Sequence, residues 1–239
     1  MTTTELRLAT WNIHMGVGRD GRRNMRRTAQ VIREIGPDVI GLQEVDNHIR
    51  TAVDDLLLLR EETGLEAIAG PTMQKTTGEY GNALLTRLPV LEVERHDISF
   101  KQREPRGILI VHLDWAGERI QVAVTHLGLR PGERRFQVLR LMECLDPHNR
   151  QPLILMGDFN EWLFFGRPLR WLRDHFGHFR SPPCFPARFP LLRLDHIMAD
   201  PRERLQQPAA FRSQLAKNAS DHLPLTALFR RYQPQDSTD

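Results

Sequence analysis

A chain of 239 residues, 40% hydrophobic and 26% charged, can bury a sizeable core and has the balance of an ordinary globular protein. Its net charge of +3 is too small a surplus to establish a nucleic-acid partner, although Lys75, Lys101 and Lys217 are the only lysines and the other basic residues are arginine. Cys144 and Cys184 form no disulfide framework, Met1–Glu5 lacks the regions of a signal peptide, and no run nears the ~20 apolar residues of a bilayer span, so the chain reads as cytoplasmic.

Leu6–Asn12 alternates well enough for a strand, which ends in Trp11 and Asn12 with His14 just beyond. Gly16, Gly18 and Gly21 then spell G-x-G-x-x-G ahead of a helix, with an acid ending the next strand, as a dinucleotide-binding unit would require. A flexible surface loop gives the same letters, and the further strand–helix–strand units of a dinucleotide fold do not follow. The helix begins after Asn24 as N-cap, presents Ala29, Val31, Ile32 and Ile35, and stops at Gly36-Pro37. Asp38–Leu42 is a second strand, expected to deliver Gln43 and Glu44 at its end. Asp54–Thr63 is helical, with Gly64 as its stop.

Asn82–Thr86, Val90–Asp97, Ile108–Asp114 and Arg119–Thr125 follow one another across turns such as Arg87-Leu88-Pro89 and Ala116-Gly117, the pattern of antiparallel hairpins. After His126 comes a helix around Arg134–Leu145, with Phe136, Leu139 and Leu141 as its apolar contacts. Pro152-Leu153-Ile154-Leu155 is a short buried strand. Gly157 then frees the backbone to turn, and Asp158 and Asn160 appear at the strand's carboxyl end, where side chains project into a crevice. Pro168 opens a helix to about Phe176, with Leu169, Leu172 and Phe176 on one face. The proline-rich loop Ser181–Pro190 leads into a strand at Leu192–Met198, Thr226–Phe229 is the last strand, and a polar tail runs from about residue 232. Roughly ten strands and four helices, without repeat or linker, suit one domain of two mixed, largely antiparallel sheets facing each other with helices outside.

The strand ends share a chemical type: Asn12, Glu44, His126, Asp158 with Asn160, Asp195 with His196, and Ser220-Asp221-His222. Carboxylates and an amide are hard oxygen ligands suited to Mg²⁺ or Mn²⁺, whereas no paired-Cys or His-x-x-x-His spacing argues for zinc. A divalent cation beside a phosphate neutralises developing charge, and a histidine whose far nitrogen is held by a carboxylate can move protons near neutral pH. Each residue also has a structural reading when taken alone. Asn12 or His126 can serve as a hydrogen-bonder at a strand end, Asp221 as a cap, and Asp195-His196 as a polar pair at a sheet edge.

Several blocks occur in one order: Thr10-Trp11-Asn12-Ile13, Leu42-Gln43-Glu44-Val45, Gly81-Asn82-Ala83-Leu84-Leu85-Thr86-Arg87, Thr125-His126-Leu127, Gly157-Asp158-Phe159-Asn160, Leu194-Asp195-His196-Ile197 and Ser220-Asp221-His222-Leu223-Pro224. In that order the chain resembles the endonuclease/exonuclease/phosphatase superfamily, from about residue 6 to residue 229. The resemblance implies a four-layer α/β/β/α sandwich and metal-dependent hydrolysis of a phosphoester, most readily a phosphodiester, by in-line attack of water. It matches Glu44 to the principal metal ligand, with Asn12 and Asp221 close by. Asp158 matches the residue that positions water, Asn160 a phosphate contact, His222 a base or phosphate-stabilising group oriented by Asp195, and His126 a second histidine near the phosphate. Which group takes the proton is left open, as is the choice between one metal and two.

Smaller features bear on the substrate. The Thr125-His126-Leu127 block departs from abasic-site endonucleases of the superfamily, and Glu104-Pro105-Arg106-Gly107 is similar to its compact bacterial, sphingomyelinase-like branch. Arg106 suits a phosphate clamp or a salt bridge to a neighbouring acid, and Asn82 is carried as a substrate-binding candidate. Two arginine–aromatic segments, Trp162–Trp171 and Phe185–Arg193, adjoin the site motifs. They suit a membrane interface, base stacking on single-stranded nucleic acid, or packing of an outer helix on a sheet. Arg19–Arg27, with five arginines, adds a basic loop. No obligate protein partner is inferred. The expected activity is on a lipid-derived or other small phosphodiester, with broad-specificity nuclease action and a non-catalytic binding module as alternatives.

Overall fold

The computed structural model describes residues 4–48, 54–76, 78–145, 151–163 and 165–231. The polar tail, and Phe164 within the first arginine–aromatic segment, lie outside them. The chain opens with β1 (Glu5–Asn12), followed by α1 (Met25–Ile35) and β2 (Val39–Asn47). The Asn24 carboxamide accepts the Arg27 N–H at 3.0 Å and so caps α1 as expected. Next come α2 (Asp55–Thr63), β3 (Glu66–Gln74) and β4 (Glu79–Thr86), then β5 (Val90–Asp97), β6 (Gly107–Trp115) and β7 (Glu118–His126). After α3 (Pro131–Cys144) lie β8 (Leu153–Asp158), α4 (Arg167–Phe176), β9 (Asp195–Asp200), β10 (Leu205–Ala210), the short α5 (Ala216–Ala219) and β11 (Leu225–Arg230).

The strands form a six-stranded sheet in the order β10-β11-β1-β2-β4-β3 and a five-stranded sheet in the order β5-β6-β7-β8-β9. Only β1/β2 and β7/β8 pair in parallel, each across a helix, and the other pairs are antiparallel. Three apolar layers separate the elements. Leu8, Val39, Val124, Met156 and Phe229 pack between the two sheets. Ile32, Ile35, Leu59 and Leu42 seat α1 and α2 on the outer face of the first sheet, and Val138, Leu141, Leu172 and Leu155 seat α3 and α4 on that of the second. Adjacent residues such as Leu155 and Met156 serve different layers because side chains alternate along a strand. The architecture is the α/β/β/α sandwich that the resemblance implied.

Four departures have physical reasons. β3 and β10 were not foreseen: they contain Pro71 and Pro208 and lie at the two edges of their sheet, where a missing N–H costs no ladder bond. The contact face of α3 is Val138 and Leu141, with Arg134 and Gln137 also buried, whereas Phe136 and Leu139 are 38% and 49% exposed. The strand expected from Leu192 begins at Asp195, and Leu192 instead bridges Phe185. Gly157 does not turn the chain. It lies within β8 at φ 151°, and a Cβ there would run into the Thr125 carbonyl oxygen of β7.

Gly157 therefore sets how closely β7 and β8 approach beneath the site. Gly157→Ala is expected to lose about 2–3 kcal/mol in urea denaturation, because β7 and β8 must part. Gly132→Ala, in the first turn of α3 with only the Arg135 side chain within 4 Å, should move stability by less than about 0.5 kcal/mol. Equal midpoints for the two variants would contradict this reading of β7 and β8.

Candidate active site

The two parallel pairs bring strand carboxyl ends together at one end of the sandwich. β1 ends there in Asn12, β7 in His126 and β8 in Asp158, with His126 and Asp158 in register. β9 runs the other way and begins opposite Asp158 with Asp195. Glu44 arrives differently from expectation. β2 continues to Asn47, and Glu44 stands out of the ladder at a bulge between Leu42 and Val45, with φ 54°. Asp221 and His222 come from the loop before β11. That loop is pinned to β1 by Ser220 Oγ donating to the Asn12 carbonyl at 2.7 Å and by the Trp11 indole donating to the His222 carbonyl at 2.9 Å.

Asp158, 1% exposed, is the meeting point. Asn12 Nδ2 donates to Asp158 Oδ2 at 3.1 Å and to Glu44 Oε1 at 3.0 Å, while Asn12 Oδ1 accepts the His14 N–H at 3.0 Å. The Asn12 amide thus faces the carboxylates with its nitrogen. His126 Nε2 and His222 Nε2 stand 3.6 and 3.7 Å from Asp158 Oδ2. Burial, and then the charges of Asp221 and Asp158, push the Glu44 carboxyl above its ordinary pKa against the Asn12 hydrogen bond and His14. Glu44 thus feels the charges of Asp158 and Asp221, and hard carboxylate oxygens of this kind fit Mg²⁺ or Mn²⁺.

His222 donates from Nδ1 to Asp195 Oδ2 at 2.8 Å. Burial alone would lower its pKa, but the charge and hydrogen bond of Asp195, then Asp158 and Asp221, outweigh it and raise it to about 10. Cys184, buried in the second loop segment, also points at Asp195 Oδ2, at 2.7 Å. Burial and the Asp195 charge push its thiol well up, so it stays protonated and donates. Cys184, Asp195 and His222 are the cluster of potential metal ligands closest together among the described residues. Asp195 Oδ2 already serves both neighbours, so this trio is a hydrogen-bonded support for His222, not a cation site.

On the other side, Arg106 Nη1 lies 3.0 Å from His126 Nδ1 and 3.3 Å from Glu104 Oε1, so the expected ion pair with a neighbouring acid is present. A guanidinium only donates, so His126 Nδ1 accepts and the ring proton sits on Nε2. Burial, then the Arg106 charge, lowers the His126 pKa to about 3. Asn160 Nδ2 donates to the Leu127 carbonyl at 2.9 Å and meets His126 Nε2 at 3.0 Å. Asn82 lines the same small hollow as Arg106 and His126, but its amide is engaged by the Gly107 carbonyl at 3.2 Å.

A model of the Endonuclease/Exonuclease/phosphatase family matches residues 9–222. The YbhP protein of Escherichia coli (strain K12) is 30% identical over 240 residues, covering 92% of this chain and 94% of the relative. The chain belongs to the endonuclease/exonuclease/phosphatase family.

Solved structures agree on the fold of this family member. The endonuclease/exonuclease/phosphatase from Bacteroides vulgatus matches with a TM-score of 0.77 at 17% identity, covering 96% of this chain and 100% of that one. The human Nocturnin catalytic domain matches at 0.73 and 23% identity, covering 94% and 93%. Members of the family are phosphoesterases and nucleases with a general dependence on divalent metal, and this chain is accordingly a phosphoester hydrolase. No helix among the described residues is long and apolar enough to cross a membrane.

Sequence reasoning passed over two groups near this family site. Tyr80 lines the same small hollow as Asn82, Arg106 and His126, and burial and then the Glu44 and Glu104 charges push its phenol up, yet a lone tyrosine before Gly81 carries no signal. Cys184 read only as a core residue. His196, paired in the sequence with Asp195, is the reverse case. Strand alternation turns it to the opposite face of β9, where its ring meets Phe159 and Phe179 edge-on and its Nδ1 meets Ser181 Oγ at 2.8 Å.

Burial, then the Arg173 charge, lowers the His196 pKa to about 3 from 6.5. Between those values the unfolded chain binds the extra proton, so this contribution is intact above pH 6.5 and is lost as pH falls toward 3. For His126 and His196 alike, going to pH 5 costs up to about 2 kcal/mol each. His196→Phe should therefore show a smaller drop in urea-unfolding stability between pH 7.5 and 5 than the parent. An equal drop in the variant would remove His196 from the acid response.

Proposed function

We propose that the chain hydrolyses a lipid-derived or other small phosphodiester by in-line attack of water, with Mg²⁺ or Mn²⁺ held at Glu44 beside Asp221. The observation that carries this reading is the Asn12 amide tying Glu44 to Asp158 while both imidazoles stand within 4 Å of Asp158 Oδ2. Asn12 keeps Glu44 and Asp158 apart and aligned. A cation bound at Glu44 would supply charge neutralisation for the phosphoryl oxygens. Asp158, aimed into the cleft between two imidazoles, orients the attacking water and takes its proton. Asn160 and His126, which meet at 3.0 Å and are steadied by the Leu127 carbonyl and Arg106, flank the place of the phosphoryl oxygens. His222, held by Asp195, donates to the phosphate from the opposite side.

The loops around the cleft favour a small or lipid-like substrate over a long nucleic acid. Within the basic loop, Arg23 pairs with Asp55 at 2.6 Å, Arg26 with Glu62 at 2.6 Å and Arg27 with Asp20 at 2.9 Å, so these guanidinium groups are spoken for by the protein's own acids. The arginine–aromatic segments instead expose apolar surface: Phe165 is 84%, Leu191 75% and Phe189 64% exposed. The second segment hangs over the site, with the Phe185 ring 4.8 Å from that of His222 and the Ala187 N–H donating to the Asp221 carbonyl at 2.6 Å. Exposed Phe189, with the Arg188 guanidinium over its ring, suits contact with lipid headgroups.

Protein stripped with EDTA and refilled with Mg²⁺ or Mn²⁺ should turn over bis-p-nitrophenyl phosphate only when refilled. Glu44→Ala should abolish that turnover, and Asp158→Asn or His222→Ala should lower it by at least ~100-fold with the fold intact. Near-parental turnover in any of the three overturns the assignment, and no turnover by the refilled parent would leave a binding module. Plasmid DNA, RNA and phospholipid vesicles offered to the same preparation identify the substrate class. Strand cleavage that weakens steeply with salt would replace the lipid reading with a nuclease.

A further inference from the structure

A cavity of about 350 Å³ lies behind the catalytic end, on the far face of β9, between α4 and the loop that leads into that strand. It is not a branch of the catalytic cleft, because Asp195 faces the cleft and His196, the next residue, lines the cavity. Its volume is that of a small-molecule site. Its walls divide by chemistry. Trp162, Leu169 and Leu191 give an apolar side, and Leu191 and Trp162 are 75% and 53% exposed at the surface. Arg173, Arg180 and Arg193 give a cationic side.

Among the described residues, Arg180 and Arg193 lack a counter-charge. Glu161 is the acid that lines the cavity, and its carboxylate is committed: Oε2 to Arg134 Nε at 3.1 Å and Oε1 to the Leu163 N–H at 3.1 Å. Among the described residues neither Arg180 nor Arg193 forms an ion pair. An independent observation comes from the sheet side. His196 is 4% exposed, its Nδ1 is met by Ser181, and its Nε2 makes no hydrogen bond. A buried ring nitrogen without a partner is costly, and here it belongs to a residue lining a cavity large enough for a ligand.

We propose that this cavity binds an anionic amphiphile, a phosphate or carboxylate head on an apolar chain. The head sits among Arg180, Arg193 and His196, and the chain runs along Leu169, Leu191 and Trp162. Arginine forks suit planar or tetrahedral oxyanions, and an apolar side opening to the surface suits a chain that need not be wholly enclosed. The site is separate from catalysis, and its occupant need not be the substrate.

The test uses full-length Glu44→Gln protein in EDTA, so that turnover and the cation at Glu44 play no part. Dihexanoyl phosphatidate below its micellar concentration is titrated calorimetrically, with inorganic phosphate and dihexanoyl phosphatidylcholine as the other arms. Saturable one-to-one binding of the phosphatidate is expected, with phosphate weaker and phosphatidylcholine weaker still. R180Q/R193Q in the same background should weaken phosphatidate binding at least ~10-fold. Both arginines are exposed, so this variant should keep the parental melting temperature, and Leu191→Gln provides a second variant that weakens the phosphatidate but not phosphate. Absence of saturable phosphatidate binding, binding unchanged in R180Q/R193Q, or phosphatidylcholine bound as tightly would each overturn the proposal. None of these outcomes bears on whether the metal-refilled enzyme cleaves phosphodiesters.

Discussion

Asp158 Oδ2 accepts the Asn12 amide at 3.1 Å across the seam between the two sheets, and that same oxygen lies within 4 Å of the Nε2 atoms of His126 and His222. Everything else at this end of the sandwich is arranged around that carboxylate. A carboxylate at 1% exposure must be compensated, or its burial would be several kcal/mol unfavourable. The Asn12 amide on Oδ2 and the Asn160 backbone N–H on Oδ1, at 2.9 Å, supply the direct hydrogen bonds, and the two imidazoles from β7 and the loop before β11 stand beside them. Glu44 is tied to the same amide, so the bulge in β2 is held in register with the end of β8. The Asn12 hydrogen bond to Asp158 joins the two sheets at the site end, and the apolar layer behind holds the rest.

The rest of the site is a set of supports that set protonation and orientation. Arg106 commits His126 Nδ1 to accepting, which leaves Nε2–H for the cleft. Asp195 commits His222 Nδ1 to donating, and Cys184 steadies Asp195 from behind. The two histidines, alike in sequence, are thus placed in opposite electrostatic surroundings: one beside a guanidinium, the other between carboxylates. Such splitting of similar groups by environment is how one fold assigns different proton roles at one pH. Around this centre, Trp162, Phe165, Arg188 and Phe189 stand exposed on the flanking loops.

Much of this was legible in the residues. Asn12 ends a strand read from alternation, His126 one read from its hairpin turns and Asp158 one read as a short apolar run, and the order of their motifs along the chain carries the family resemblance. What stayed hidden has a common cause, since it depends on contacts that no local pattern encodes. Leu42-Gln43-Glu44-Val45 reads as a strand end, because nothing in those letters announces a bulge with φ 54°. β3 and β10 are proline-bearing edge strands, defined by one neighbour rather than by their own periodicity. Phe136 and Leu139 looked like the buried face of α3, but the helix starts at Pro131 and turns Val138 and Leu141 inward. Asp195 and His196 read as one polar pair, and strand alternation sends them to different cavities.

The proposed cation site at Glu44, whose carboxyl feels the charges of Asp221 and Asp158, is what the chemistry of this end depends on. Crystals of the protein soaked in Mn²⁺ test it directly through the anomalous signal of the metal. A peak about 2.0–2.2 Å from a Glu44 carboxylate oxygen is expected, with no peak at Cys184, Asp195 and His222. A peak in that second cluster, or none near Glu44 at saturating metal, would contradict it.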